Sequence, residues 1–243
     1  MISNFPTPAI FAHRGASKYA PENTLAAFEL ALEQQADGIE LDVRLTVDDR
    51  VAVIHDASLN RTTNGRGRIS HQTLQEIQQW DAGEGQKIPS LEEVLALVSD
   101  QAILNIELKG NFKTSNRLPE IVINLVKNHR LTQSVILSSF DPNMLLFARQ
   151  VMPEICLGYL YSPRIISRLK YKMYTPRIQP YSLHPHGSLV SPRLLDRAQS
   201  QDIKVLAWTI NIPEDMSDLF AMGIDGIITN DPLTATQVRE KIR

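Results

Sequence analysis

The stretch GIELDVRLTVDDRVAVIH, residues 38–55, holds two strand-sized apolar runs with only seven residues between them. A parallel crossover needs a dozen or more residues, so 51–55 (VAVIH) is expected to return antiparallel on 38–43 (GIELDV) as a hairpin arm. Working outward, strand-like runs recur at 9–13, 103–108, 134–139, 156–160, 180–184, 203–208 and 225–229. Helical periodicity lies between most of them, as in LAAFELALEQ, LEEVLALV, LPEIVINLVKN, NMLLFARQV and LLDRAQSQ. Without the hairpin arm, eight strand–helix units remain, the count of an α/β TIM (β/α)8 barrel. The expectation is one TIM-barrel domain over residues 1–243. Residues 56–90 then form an inserted loop region with short helices over the barrel mouth.

Composition narrows the function classes. The chain has 243 residues with 25 basic and 27 acidic side chains, a net charge of −2, and a pI near 6.3. That balance gives no overall footprint for nucleic acid or for an anionic membrane. The single cysteine, Cys156, permits no internal disulfide and no cysteine-based zinc site. The opening MISNFPTPAIFA lacks the basic start and apolar run of a secretory signal, and no stretch reaches the ~20 apolar residues of a membrane span. A cytoplasmic location without stable membrane insertion is expected; the sequence carries no signature of oligomeric state.

Charges stand where core strands should be apolar. Alternate strand residues share a face, so Ile39, Leu41 and Val43 turn one way and Glu40 and Asp42 the other. The same inversion recurs in 103–109, where Asn105, Glu107 and Lys109 oppose Ile106 and Leu108. With the apolar set against the helices, three carboxylates point into the barrel. Uncompensated, each costs several kcal/mol, as a buried ion does. Salt bridges to Lys109, Arg14 or Arg44 are one remedy. Two inverted strands in one barrel favour another, a hard cation such as Mg²⁺ or Ca²⁺ held by Glu40, Asp42 and Glu107.

Two histidines close strands at the same face. His13 precedes Arg14-Gly15, and His55 precedes Asp56, which is placed to orient an imidazole. Such a pair suits general acid–base work near neutral pH. Arg14 and Lys109 are the cations placed to meet an anionic group, and a metal with both suits a phosphate. No Walker-type loop or GxGxxG is present, so the pattern points to phosphoester hydrolysis without an organic cofactor.

The ordered set FAHRGASKYAPENTLAAF, GIELDVRLTVDDRVAVIHD, LNRTTNGRG, IPSLEEVL, NIELKG and AWTIN resembles the glycerophosphodiester phosphodiesterase family, bacterial cytoplasmic type. The likeness runs from about residue 10 to residue 232 and is densest over 11–67. It implies a TIM barrel and metal-dependent hydrolysis of glycerophosphodiesters, among them glycerophosphocholine and glycerophosphoethanolamine, to sn-glycerol 3-phosphate and an alcohol. The corresponding setting is lipid and glycerol metabolism. Position by position, it implies His13 and His55 as the catalytic pair, Glu40, Asp42 and Glu107 as metal ligands, and Arg14 and Lys109 as phosphate contacts.

Other residues keep two readings. Trp208 and Phe140 are apolar walls for substrate or plain core aromatics. Asn211 bonds substrate or caps the helix starting near Pro213. Glu22 is read as holding the first loop through Arg14 or backbone. One ring of His184-Pro185-His186 lines the pocket, or the pair binds a transition metal. His71 and His129 fall in the insertion and at a helix end, Cys156 is expected to be buried and inert, and the basic stretch 164–177 is a solvated helix face or a membrane contact. Lysophospholipase D activity would need an acyl groove, which the polar 56–90 stretch does not offer. A secreted sphingomyelinase D-like enzyme would carry a signal and disulfides. A non-catalytic glycerophosphodiester-binding module would be marked by a lost histidine or metal ligand, and none is lost.

Overall fold

The computed structural model describes residues 2 and 5–242, apart from the side chain of Arg168. Eight strands close a parallel ring: β1 (Ala9–His13), β2 (Gly38–Leu45), β4 (Ile103–Leu108), β5 (Val135–Ser139), β6 (Cys156–Tyr161), β7 (Ser182–Pro185), β8 (Lys204–Ala207) and β9 (Gly226–Thr229), which pairs back onto β1. The ninth strand, β3 (Val51–Val53), lies outside the ring, antiparallel to β2 with Val43 opposite Val53. The barrel and its hairpin arm are therefore as the sequence predicts. The arm is shorter than the run 51–55: Ile54 still donates to the Asp42 carbonyl at 2.9 Å, and the chain bends away from His55 onward.

Nine helices accompany the strands among the described residues: α1 (Leu25–Glu33), α2 (Leu74–Ile77), α3 (Leu91–Val98), α4 (Leu118–Asn128), α5 (Pro142–Val151), α6 (Ile165–Ile178), α7 (Pro192–Gln199), α8 (Pro213–Ala221) and α9 (Pro232–Ile242). Their starts are written in the sequence. Thr24, Ser90, Asp141 and Ser191 accept backbone N–H bonds from the first turns of α1, α3, α5 and α7. Proline opens α5, α7, α8 and α9, where its missing N–H costs nothing. No described helix is long and apolar enough to cross a membrane.

Ile39, Leu41, Val43, Ile106 and Leu108 pack outward in one cluster with Val94, Leu95, Val122 and Val126 of α3 and α4. Inside the ring, Ala9, Phe11, Ile136, Cys156, Leu206 and Ile228 form an apolar layer at the N-terminal end. Gly38 faces this layer, where a Cβ would lie 2.4 Å from Phe11 Cε1. Cys156 is buried there, and burial raises its thiol pKa. The insertion gathers a small core of its own: Leu59, Ile69, Leu74, Ile77, Ala82 and Ile88 pack with Ala52 and Ile54.

Above the apolar layer the interior turns polar. His184 is fully buried, its Nε2 2.8 Å from Ser182 Oγ, and its ring fills the space that a side chain at Gly158 would take. Burial pushes its pKa down to about 3. Between pH 6.5 and about 3 the unfolded chain therefore binds a proton that the folded chain refuses. Stability contributed by the neutral ring is complete above 6.5 and is lost as pH falls, by about 2 kcal/mol at pH 5. His184→Gln keeps a partner for Ser182 and does not titrate. Denaturant unfolding at pH 7 and pH 5 is expected to show a smaller acid loss in the variant than in wild type; equal losses would exclude His184 as the source.

Candidate active site

The C-terminal ends of β1, β2 and β4 bring the inverted residues together. Asp42 sits opposite Glu107 in the parallel register and Glu40 opposite Asn105. All three carboxylates are buried, and oxygens from Glu40, Asp42 and Glu107 lie within 4.8 Å of one another. Lys109 Nζ lies 2.7 Å from Glu107 and 3.3 Å from Asp42, while Arg14 Nε lies 3.1 Å from Asp42. Arg44 takes no part in this pairing; its Nε donates to the His55 carbonyl at 2.8 Å. The salt-bridge remedy is thus half present: two cations serve three carboxylates.

That imbalance sets the electrostatics. Burial, then the charges of Asp42 and Glu107, hold the Glu40 carboxyl well above its ordinary range. Burial also raises Glu107, against the pull of Lys109. Asp42 is the one held low, at about 2, because Lys109 and Arg14 overcome its burial. Asp42 Oδ1 is buried and makes no hydrogen bond, with the Lys109 ammonium 3.3 Å away. The set fits a divalent cation: an orphaned oxygen, two carboxyls made uncomfortable by their neighbours, and oxygen donors only, which select a hard ion. Among the described residues this is the only such group of acidic, histidine or cysteine ligands.

The loop after β1 is built around the triad. Arg14 adopts φ +58° and Gly15 φ +81°, and a Cβ at Gly15 would sit 2.6 Å from the Ala27 backbone. This turn aims the Arg14 N–H at the Glu40 carbonyl, 2.8 Å, and at Glu40 Oε2, 3.1 Å. His13 Nε2 faces Glu40 Oε2 at 3.9 Å, and its Nδ1 lies 2.6 Å from Asn230 Oδ1. Because that oxygen only accepts, the His13 proton belongs on Nδ1, leaving Nε2 bare toward the carboxylates. Burial, with Arg14 beside it, lowers the His13 pKa to about 4.

His55 enters from the hairpin arm. Its Nδ1 lies 2.6 Å from Asp56 Oδ1; burial lowers its pKa and the charge of Asp42 opposes the fall. Asp56 is held in turn by Arg61 Nε at 2.8 Å, and Arg61 also bonds Glu22. Glu22 accepts from Arg14 Nη1 at 2.8 Å, so a continuous chain of bonds ties the insertion to the β1 loop.

Three contributors were not singled out from sequence: Asn23, whose Nδ2 donates to Asp42 at 2.9 Å; Asn230; and Arg61. The only signal was their place, in PENT, in the ITND that ends the last strand and in LNRTTNGRG. Asn211 does not cap α8. The residue preceding α8 is Ile212, with no side-chain cap, and Asn211 Oδ1 accepts from the Asn230 N–H at 2.9 Å, one bond away from His13.

Trp208 and Phe140 meet edge to face at 5.4 Å, and His186 and Trp208 do so at 5.3 Å. The Trp208 indole donates to the His184 carbonyl at 2.8 Å, fixing the ring. Phe140 is well exposed, which the core alternative does not accommodate. Of the His-x-His pair, His186 thus stands in the aromatic group and His184 lies buried beneath it. His71 ends a short 3₁₀ turn (Ile69–His71) in the insertion and His129 follows α4.

A family model described as the glycerophosphoryl diester phosphodiesterase family matches residues 13–234. A glycerophosphodiester phosphodiesterase of Caldanaerobacter subterraneus subsp. tengcongensis is 39% identical over 96% of this chain and 98% of its own length. One from Bacillus altitudinis is 36% identical, covering 96% and 99%. Among solved structures, an Oleispira antarctica phosphodiesterase in complex with the product sn-glycerol-3-phosphate superposes with a TM-score of 0.87 at 30% identity, covering 96% of this chain and 97% of the other.

Proposed function

Because the chain belongs to the glycerophosphoryl diester phosphodiesterase family, we propose that it hydrolyses small glycerophosphodiesters, such as glycerophosphocholine and glycerophosphoethanolamine, to sn-glycerol 3-phosphate and the free alcohol. The observation that carries this reading is the buried triad Glu40, Asp42 and Glu107 beside two histidines, each fixed through Nδ1. Glu40, Asp42 and Glu107 are the residues that would hold a metal, Mg²⁺ or Ca²⁺ by donor chemistry; when bound, it would supply Lewis-acid polarisation of the phosphodiester. Arg14 and Lys109 stand beside the same carboxylates, placed to bind the phosphate's remaining charge.

The two histidines take different parts. His13, paired with a neutral amide and lowered to about 4, is the proton acceptor at Nε2. His55 is lowered by burial too, but it donates Nδ1–H to a carboxylate, which opposes the fall and favours its protonated form relative to His13. It therefore delivers the proton to the departing alkoxide. The nucleophile relieved of its proton is water or the substrate's own glycerol 2-hydroxyl. Rapid quenching that traps a glycerol 1,2-cyclic phosphate identifies the second route; ¹⁸O incorporation occurs in both.

Small head groups are favoured because the insertion buries most of its apolar side chains in its own cluster, and Trp80, its one well-exposed large apolar residue, is too little to line an acyl groove. Phe140 and Trp208 form an apolar wall for the alcohol. Phe140→Ala is expected to raise KM about 2–10-fold with kcat little changed, the scale of one lost aromatic contact. A matching fall in kcat alone would place the ring elsewhere.

The decisive assay is release of glycerol 3-phosphate from glycerophosphocholine and glycerophosphoethanolamine, with EDTA and after Mg²⁺ or Ca²⁺ is restored. Metal-dependent release is expected. Binding of glycerophosphocholine without turnover under any metal overturns the reading in favour of a binding module. In keeping with the soluble substrates, the proposed location is the cytoplasm.

A further inference from the structure

Helix α6 (Ile165–Ile178) has two apolar faces. One meets the barrel: Tyr171 stacks on Tyr161 at 4.4 Å, and Ile178 is buried. At about 100° per residue, Ile165, Ile166, Leu169 and Met173 fall together on the opposite side. They are 75%, 71%, 59% and 57% exposed. The same rotation sets Lys170 and Arg177 along one edge of this stripe and Lys172 along the other. Scattered exposed apolar residues need no explanation, but four on one stripe opposite a packed face do.

The charge carried by the helix itself is one-sided, although Glu154 and Asp202 share a groove with Lys172 along one edge. Between Glu154 and Asp196 the chain has six basic residues and no acidic one, although its net charge is −2. The near-neutral total therefore conceals a basic flank. An apolar stripe edged by lysine and arginine complements an anionic bilayer, whose headgroups attract the cations while the apolar side chains enter the interface. A second copy of this chain is a poor occupant, since pairing two such faces would bring their cations together with no acidic residue on either helix.

We infer that the outer face of α6 is a docking surface for an anionic phospholipid bilayer, with Ile165, Ile166, Leu169 and Met173 in the headgroup layer and Lys170, Lys172 and Arg177 against lipid phosphates. Helix α6 lies on the outer wall of the barrel, so docking through it leaves the mouth open to water beside the membrane. This is peripheral and reversible attachment, compatible with the lack of a spanning helix among the described residues. It goes beyond the proposed reaction and does not depend on it. If that reaction holds, the enzyme would sit where deacylation of membrane phospholipids releases its substrates.

The test is co-sedimentation of the full chain with vesicles of phosphatidylglycerol and phosphatidylcholine, against phosphatidylcholine alone. Binding is expected to the anionic vesicles, to weaken as salt rises, and to be slight on neutral ones. Lys170→Gln/Lys172→Gln should lower the partition coefficient about fivefold per lysine. Leu169→Ser/Met173→Ser should lower it too, at high salt as at low. Both variants should hydrolyse glycerophosphocholine at the wild-type rate, since none of these residues touches the site. No binding to anionic vesicles at low salt overturns the inference, as does binding that both variants retain in full. A dimer in sedimentation that Leu169→Ser/Met173→Ser dissociates also overturns it, by placing a second copy on the stripe.

Discussion

Glu40→Gln is expected to melt at a higher temperature than metal-free wild type while losing activity by about a thousandfold, the scale of several kcal/mol of metal-derived transition-state stabilisation. Without a cation, Glu40 faces Asp42 and Glu107 inside the barrel, and burial compounds the repulsion. Removing one charge relieves it, as replacing buried charges often does. A glutamine at 40 still accepts the Arg14 N–H that Glu40 Oε2 accepts at 3.1 Å, so the β1 turn is kept. The sign of the pH effect follows. A carboxyl raised in the folded state favours the protonated form, so its penalty grows as pH rises from about 4.5 through the raised value. Metal-free wild type should therefore lose stability over that range by more than the variant does. Metal reverses the order. A cation at a hundred times its Kd adds about 2.7 kcal/mol to wild type, or about 5–10 °C for a chain of this size. The variant, short of one ligand, should gain little. Differential scanning calorimetry with EDTA and with added Mg²⁺ or Ca²⁺ measures both shifts without an activity assay. A variant that melts lower in EDTA, or gains as much from metal as wild type, removes Glu40 from the ligand set.

The inverted strands were legible because strand periodicity is strict: once Ile39, Leu41 and Val43 face the helices, Glu40 and Asp42 have only the interior left. The hairpin arm was legible because seven residues cannot carry a parallel crossover. Asn230 was not. Its bond to His13 joins residues 217 apart in sequence, and no periodicity or local turn chemistry encodes a contact made only when the ring closes. Arg61 escaped for the same reason, since it becomes part of the site only where the insertion folds back to meet Glu22. The outer stripe of α6 shows a different limit. Ile165, Leu169 and Met173 repeat at helical spacing whether that face is covered or bare, and only the exposed side chains decide it. The sequence reading of this stretch, a solvated face or a membrane contact, rested on its lysines and arginines and not on the apolar residues between them.

Loss of either histidine should be as damaging as loss of the metal, though by a different route. His13→Ala and His55→Ala are each expected to lower kcat about 10²–10⁴-fold at saturating metal, the usual contribution of a placed acid or base. Neither ring carries much of the fold: His13 and His55 are only partly buried, each held through a single Nδ1 contact. Melting temperatures should therefore stay close to wild type. The pH profile separates the two roles. With His13 as acceptor, the acid limb of the wild-type profile reports its deprotonation. That limb should lie below pH 6.5, because burial and Arg14 lower the ring to about 4. Residual activity in His13→Ala should lose the acid limb and keep the alkaline one; His55→Ala should do the reverse. Asp56→Asn tests the assignment from a second side. It keeps a partner for His55 Nδ1 but removes the charge that favours the imidazolium, so the alkaline limb should move to lower pH while the acid limb stays in place. Its loss in kcat should be smaller than that of His55→Ala, since the ring remains. A shift of the acid limb instead would exchange the two roles, and a profile flat from pH 3 to 9 in wild type and variants alike would remove the acid–base pair altogether.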